Sequence, residues 1–312
     1  MKTTRKIFTA ALLTCVAAGL MITSSCIKKA NVYAPAKPLP SFNGFSSSKQ
    51  IEASSLVDYF AFNGTNTDSL GGLTGKVEGS PGFATGVNGK AYQGAVGSSL
   101  VFDNPGPLAN LQSFTISFWM NTQNINGFAR GIFSLNNPND FWGSLDIYLD
   151  NPPSDDKNAD TLTFKVHMNN ASGVPYAAYF LQAKVSNAIS KWTHMVVTYD
   201  GSSSIINIYE NGNAIGIAGV AGTNGFVIGP VMPGDDPTKT PETLWGPIKW
   251  PNPTAAVIGT WQFQTNPSLT GSASAQGWAE SFVGSLDNFR VYNKALLATD
   301  VSALYNLEKL GR

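Results

Sequence analysis

From residue 56 onward, apolar and polar positions alternate along most of this chain. A period of two places successive side chains on opposite faces of a strand, so each such run predicts a half-buried strand. The first spans 56–62, and a short apolar run follows at 99–102. The run 114–120 alternates cleanly: Phe114, Ile116 and Phe118 share one face, and Thr115, Ser117 and Trp119 the other. Further runs lie at 130–135, 161–168, 179–185, 193–199, 205–210, 255–263 and 281–292. Asn211-Gly212 predicts a hairpin turn, because both residues tolerate the positive φ that a tight turn needs. One helix is predicted, at the C-terminus. Thr299 can cap it, Asp300 suits its N-terminal dipole, and Val301, Leu304, Tyr305 and Leu307 form an apolar stripe. Many strands without interleaved helices predict an all-β sandwich or barrel.

The first 50 residues follow another pattern. Lys2, Arg5 and Lys6 precede an apolar run at 7–22, which ends in Thr23-Ser24-Ser25-Cys26. A basic start, an apolar stretch too short to span a membrane and small residues before a cysteine predict a lipoprotein signal peptide at 1–25 with lipidation of Cys26. The leucine that usually stands three residues before such a cysteine is Thr23 here, and an ordinary signal followed by an unmodified cysteine is the alternative. Residues 26–50, with Pro35, Pro38, Pro40 and three consecutive serines, read as a flexible tether, and 51–312 as one domain. The expected location is the bacterial cell envelope, lipid-anchored, with the outer membrane favoured.

Composition narrows the function. Lysine plus arginine and aspartate plus glutamate both number 20, so no basic field exists to hold nucleic acid, and contact with a membrane falls to the lipid anchor alone. Cys15 and Cys26 are the only cysteines; the first falls in the signal and the second is the lipid acceptor, so the domain has no disulfide.

Several segments together resemble the LamG-like jelly roll of the concanavalin A-like lectin/glucanase superfamily. They are Leu56-Val57-Asp58-Tyr59-Phe60-Ala61-Phe62 with the Asp68-Ser69-Leu70-Gly71-Gly72 loop, Phe114-Thr115-Ile116-Ser117-Phe118-Trp119, Trp192-Thr193-His194-Met195-Val196-Val197, Ile208-Tyr209-Glu210-Asn211-Gly212 and Gly284-Ser285-Leu286-Asp287-Asn288-Phe289. The resemblance implies a two-sheet antiparallel jelly-roll sandwich with a short C-terminal helix. It also implies a structural calcium, at which the first-loop acid Asp68 meets the last-strand acid Asp287, with oxygens from near Asn63 and Gly89. Calcium takes six to eight oxygens, so such a set suits it. The alternative is that Asp68 caps a turn and Asp287 accepts from a neighbouring amide.

The related glucanases carry paired glutamates on one strand, since retaining hydrolysis needs two carboxyls about 5–5.5 Å apart. The nearest string here is Ser144-Leu145-Asp146-Ile147-Tyr148-Leu149-Asp150, with serine at the first acid position. Asp146 and Asp150 would lie roughly 13 Å apart on a strand, and an aspartate-rich surface turn is the preferred reading. His194 matches a core position of the family, and neither it nor His167 has triad or zinc spacing around it. Trp142, Trp245, Trp250, Trp261 and Trp278 lie in or beside two long regions, 136–160 and 229–278, where they either stack on a sugar or close the ends of the sandwich. The expected function is non-catalytic binding of a glycan. A protein-binding adhesive or structural module and a divergent glycoside hydrolase are the alternatives.

Overall fold

The computed structural model describes residues 39–123, 127–150, 160–171, 178–218, 226–227 and 245–312. The chain divides into Met1–Pro40 and Ser41–Arg312. Cys26, the signal segment and most of the expected tether lie outside the described residues; the second unit is the subject below.

Among the described residues this unit forms two sheets and one helix, α1 (Ala298–Lys309). The eight-stranded sheet runs β13 (Asn213–Ile215), β12 (Ile205–Glu210), β11 (Thr193–Asp200), β6 (Phe114–Thr122), β18 (Gly284–Tyr292), β4 (Lys90–Gly94), β3 (Gly82–Thr85), with β1 (Leu56–Phe60) also paired to β18. The ten-stranded sheet runs β15 (Phe226–Val227), β14 (Ile217–Ala218), β10 (Ala178–Ser186), β9 (Thr161–Asn169), β8 (Leu145–Asp150), β7 (Ala129–Leu135), β16 (Ala256–Ile258), β5 (Ser99–Phe102), β2 (Lys76–Glu78). β17 (Ala279–Ser281) adds to β7 in parallel, the one departure from antiparallel pairing among these strands. The inner faces meet in a single core, with Phe114, Ile116 and Phe118 from one sheet against Leu145, Ile147 and Phe164 from the other.

Five sequence expectations change. Residues 145–150 are a central strand and not a surface turn: Leu145, Ile147 and Leu149 enter the core while Asp146 and Tyr148 face the other way. The run 255–263 pairs only over Ala256–Ile258, and 281–292 breaks at Phe282-Val283 into β17 and β18. Residues 41–50, read from the sequence as part of a tether, are packed. Phe42 and Phe45 form a β-bridge and lie against the helix cluster, and Ser47 and Gln50 close a capping box on the 3-10 turn Ser48–Gln50. The N-cap of α1 is Leu297, without a side-chain cap, and Asp300 accepts from Asn43 Nδ2 at 2.8 Å.

Each sheet is also covered on its outer face. On the eight-stranded sheet, Val301, Leu304 and Leu307 of α1 pack on Val196, Tyr209 and Tyr292. The register of α1 is held by Glu308, which is fully buried. Its Oε1 lies 2.7 Å from Arg290 Nε, and its Oε2 accepts from Trp119 Nε1–H at 2.7 Å. Burial pushes the Glu308 carboxyl up, and Arg290 opposes that shift. The Arg290 guanidinium stacks 3.9 Å from the Tyr59 ring and donates to Ser48 Oγ at 3.2 Å.

Removing one member of a buried ion pair strands the other, at a cost of about 3–5 kcal/mol, whereas replacing both with apolar groups is often neutral. Glu308→Ala is therefore expected to lose about 3–5 kcal/mol in urea unfolding, and the Arg290→Met, Glu308→Leu double variant to recover most of that loss. Equal destabilisation of the two variants would show that the ion pair is not what holds the helix.

Candidate functional site

The outer face of the ten-stranded sheet carries an aromatic cluster. Adjacent strands align Asp146, His167 and Phe180 in one row and Tyr148, Lys165 and Gln182 in the next. Strand alternation turns Leu181, Ala183 and Val185 inward, which leaves Phe180 outside and 39% exposed. Trp142 stands over this row. Its ring lies 5.1 Å from Phe180, 5.5 Å from His167, 6.0 Å from Tyr148 and 6.0 Å from Trp278. Trp278 is 41% exposed and Trp142 is half-buried. Three partly open rings thus lie side by side on one face.

The polar groups beneath them are fixed. Asp146 accepts from Ser134 Oγ at 2.6 Å and from the Gly143 N–H at 2.8 Å, and its Oδ2 lies 3.2 Å from His167 Nδ1. The loop that presents Trp142 is stitched from below. Gln262 Nε2 donates to the carbonyls of Asp140 (2.9 Å) and Phe141 (3.0 Å), and Thr270 Oγ1 donates to that of Asp140 at 2.6 Å. A surface held in one arrangement loses little entropy on binding.

The other tryptophans do not join this surface. Trp245 and Trp250, each 4% exposed, belong to the core between the sheets, beside Tyr199 (6.4 Å) and Phe114 (6.0 Å) respectively. Trp261 is fully buried, stacked on Phe263 at 5.5 Å. As stacking platforms these three are excluded by burial: a ring with no free face cannot meet a sugar. Phe180 is the ring that sequence reasoning missed, although its outward position follows from the alternation of its strand.

Residues 93–245 match the family model described as the Concanavalin A-like lectin/glucanases superfamily. The resemblance in sequence and the two-sheet sandwich agree. Over the matched residues the fold is concanavalin A-like. No curated protein matches the sequence. Among solved structures, the chain is similar to domain 4 of AbnA, an extracellular arabinanase from Geobacillus stearothermophilus, in complex with arabinotriose. The TM-score is 0.49 at 18% identity, covering 80% of this chain and 98% of that one. It is also similar to a botulinum neurotoxin type C structure whose description concerns interaction with two ganglioside molecules, with a TM-score of 0.51 at 15% identity, covering 82% of this chain. The present chain spans about half of that toxin chain, 51%. At these identities the likeness concerns the fold.

In this domain Asp68 is held by its own turn, whereas Asn63, Gly89 and Asp287 meet at the 86–90 loop. Asp68 caps a turn: Oδ1 accepts from the N–H groups of Tyr59 (2.7 Å) and Leu70 (3.1 Å), and Oδ2 from that of Gly72 (3.0 Å). Asp287 serves the 86–90 loop. Its Oδ2 accepts from the Asn88 N–H at 3.0 Å and its Oδ1 from the Asn288 N–H at 2.7 Å. Asn63 Oδ1 accepts from the Lys90 N–H at 2.8 Å, and a Cβ at Gly89 would come within 2.2 Å of that oxygen, at a φ of +76°. Glycine is therefore required at 89 by close approach and by conformation. Burial raises Asp287 to about 6, backbone donors opposing, and the neighbouring acid that it feels is Glu308, not Asp68. Among the described residues, no group of three or more acid, histidine or cysteine side chains converges. The pairing of Asp68 with Asp287 at one ion does not fit this donor set.

Asp68 instead acts on Asp58, an acid that the sequence reading passed over. Asp58 is 1% exposed, and neither carboxylate oxygen has a hydrogen-bond partner among the described residues. Burial, and then the charge of Asp68, raise it to about 7. Between pH 3.8 and about 7 the folded state keeps this proton while the unfolded chain has lost it, so stability falls as pH rises through that window. Asp58→Asn removes the penalty. It is expected to raise stability by roughly 2–4 kcal/mol at pH 8 and by little at pH 4, measured by thermal unfolding in chelator. A gain that is the same at both pH values would show that Asp58 is not the titrating group.

Proposed function

We propose that this domain binds carbohydrate without cleaving it, on the Trp142–Phe180–Trp278 face, and that a lipid on Cys26 holds it to a bacterial cell envelope. The observation that carries the reading is the set of partly open rings on a locked base. Sugars present apolar C–H faces that stack on aromatic rings. Their hydroxyls need donors and acceptors at the edge of the platform, and Asp140 and Asn169 (3.4 Å apart) with Gln182 supply them. Apart from Asp140, the described acids near this face are engaged, which supports a binding role over a hydrolytic one. Asp146 is buried and bonded, Asp150 is ion-paired with Lys165, and Glu280 is ion-paired with Arg130. Retaining hydrolysis would need two available carboxyls about 5–5.5 Å apart.

Trp278→Ala and Phe180→Ala are each expected to weaken the best oligosaccharide from a glycan array by at least about fivefold in calorimetry. That corresponds to about 1–3 kcal/mol, on the scale known for stacking of flat rings. Trp278 is exposed enough that its melting temperature should change little. Undiminished affinity in both variants would remove the face from the reading. The anchor is tested separately: Cys26→Ser should move the protein from the membrane fraction to the soluble fraction, and unchanged membrane association would count against lipidation.

A further inference from the structure

The three partly open rings on the outer face of the ten-stranded sheet are close together but not parallel. Trp142 meets Phe180 at an interplanar angle of 76° and Trp278 at 44°. Phe180 and Trp278 must then differ from each other by at least the 32° between those two angles, so no two of the three rings share a plane. The tilts are set from below. Trp142 stands at 71° to Phe141 and at 79° to buried Phe263, with centroids 5.1 and 6.1 Å away. Trp278 stands at 72° to buried Trp261 and at 58° to Phe263, at 5.6 and 5.7 Å. Phe180 lies 4.5 Å from the ring of buried His167. Edge-to-face packing is a preferred arrangement of aromatic rings, and turning Trp142 or Trp278 flat would drive it into close-packed neighbours.

The rings also follow a line. Trp278 leads into β17, which flanks β7; Trp142 precedes β8; and Phe180 belongs to β10. Steps of 6.0 and 5.1 Å carry the line across the strands, from Trp278 over Trp142 to Phe180. Polar side chains border it. In the strand register, Asn169 lies one row to one side of His167 and Phe180, and Gln182 one row to the other. A crystalline polysaccharide offers one flat face, and stacking on that face needs several rings in a common plane. Inclined rings meet it one at a time. A single chain in solution turns from residue to residue, so successive sugars can meet successive inclined rings.

We propose that the aromatic face takes one free glycan chain, laid across the strands over three successive stacking positions, and rejects the flat face of a crystalline polysaccharide. This rests on the carbohydrate reading of the same face and names the form of carbohydrate that it selects. Trp278 and Phe180 hold the two ends of the path, and Trp142 the middle.

The test titrates the protein with di-, tri- and tetrasaccharides of the cello, xylo, manno, laminari and arabino series in calorimetry, and mixes it with microcrystalline cellulose and with microcrystalline chitin in a pull-down. The expected result is a series in which the trisaccharide binds at least about fivefold tighter than the disaccharide, while the tetrasaccharide adds no more than about twofold, for the two registers it offers. Phe180→Leu and Trp278→Leu keep apolar bulk but remove a flat ring. Each should abolish the gain from disaccharide to trisaccharide, and neither crystal should retain the protein. Retention on either crystal, no series with that dependence on length, or a dependence that survives in either variant would overturn the proposal. The carbohydrate reading itself falls only if the glycan array is blank or its hits are indifferent to both rings, so the two failures are separable.

Discussion

Arg290 is the group on which the closure of this sandwich depends. A guanidinium cannot be deprotonated, so once it is buried it dictates what surrounds it. It reaches β1 through the Tyr59 ring, the start of the domain through Ser48 and the C-terminal helix through Glu308. These groups lie far apart in sequence, and the two ends of the domain come together around them. The Ser48 N–H donates to the Arg312 carbonyl at 3.1 Å. Such a pair adds little net stability over apolar side chains of the same shape. What it adds is position: a helix shifted by one residue would satisfy its apolar stripe imperfectly and would leave both charges unpaired in the interior.

The same network contains a serine, a histidine and an acid, all of them buried, and its geometry shows why it is not a catalytic triad. Ser117 Oγ lies 2.8 Å from His194 Nε2, and Glu308 Oε2 approaches that same nitrogen at 3.7 Å, while Nδ1 has no partner among the described residues. A triad needs the hydroxyl and the acid on opposite ring nitrogens, with the hydroxyl open to substrate. Burial and the charge of Arg290 also depress His194 to about 3, so it stays neutral. Three residue types that suggest chemistry in a sequence are, in this fold, the polar side of a helix-docking surface.

The central strands were legible because their inner faces obey a period of two, and the core needs nothing more. The outer faces were not. The alternation of Leu145, Ile147 and Leu149 is as regular as that of Phe114, Ile116 and Phe118, but the acids between them suggested a turn open to water. That inference assumes that the opposite side of the strand is solvated. Here a third layer, built from the segment around Trp261 and Phe263, lies on it, and Asp146 is buried with its own donors. The tryptophans failed for a related reason. Composition registers that a long irregular stretch holds indole rings, but whether a ring points into the core or out of it is set by contacts distant in sequence. Trp250 against Phe114 is such a contact.

The two outer faces therefore divide the work. The face of the eight-stranded sheet is closed by α1 and by residues 41–51, and the domain begins there. The face of the ten-stranded sheet is closed only in part, and its cover ends in exposed Trp278 beside exposed Phe180. Chain entry and open rings thus lie on opposite sides of one rigid sandwich. Phe42 and Phe45 pack against the helix cluster, so the first residues of this unit belong to the closed face and leave the open rings uncovered. The buried ion pair at Arg290 holds that arrangement from within, because it joins Ser48 and α1 on the same side of the sandwich.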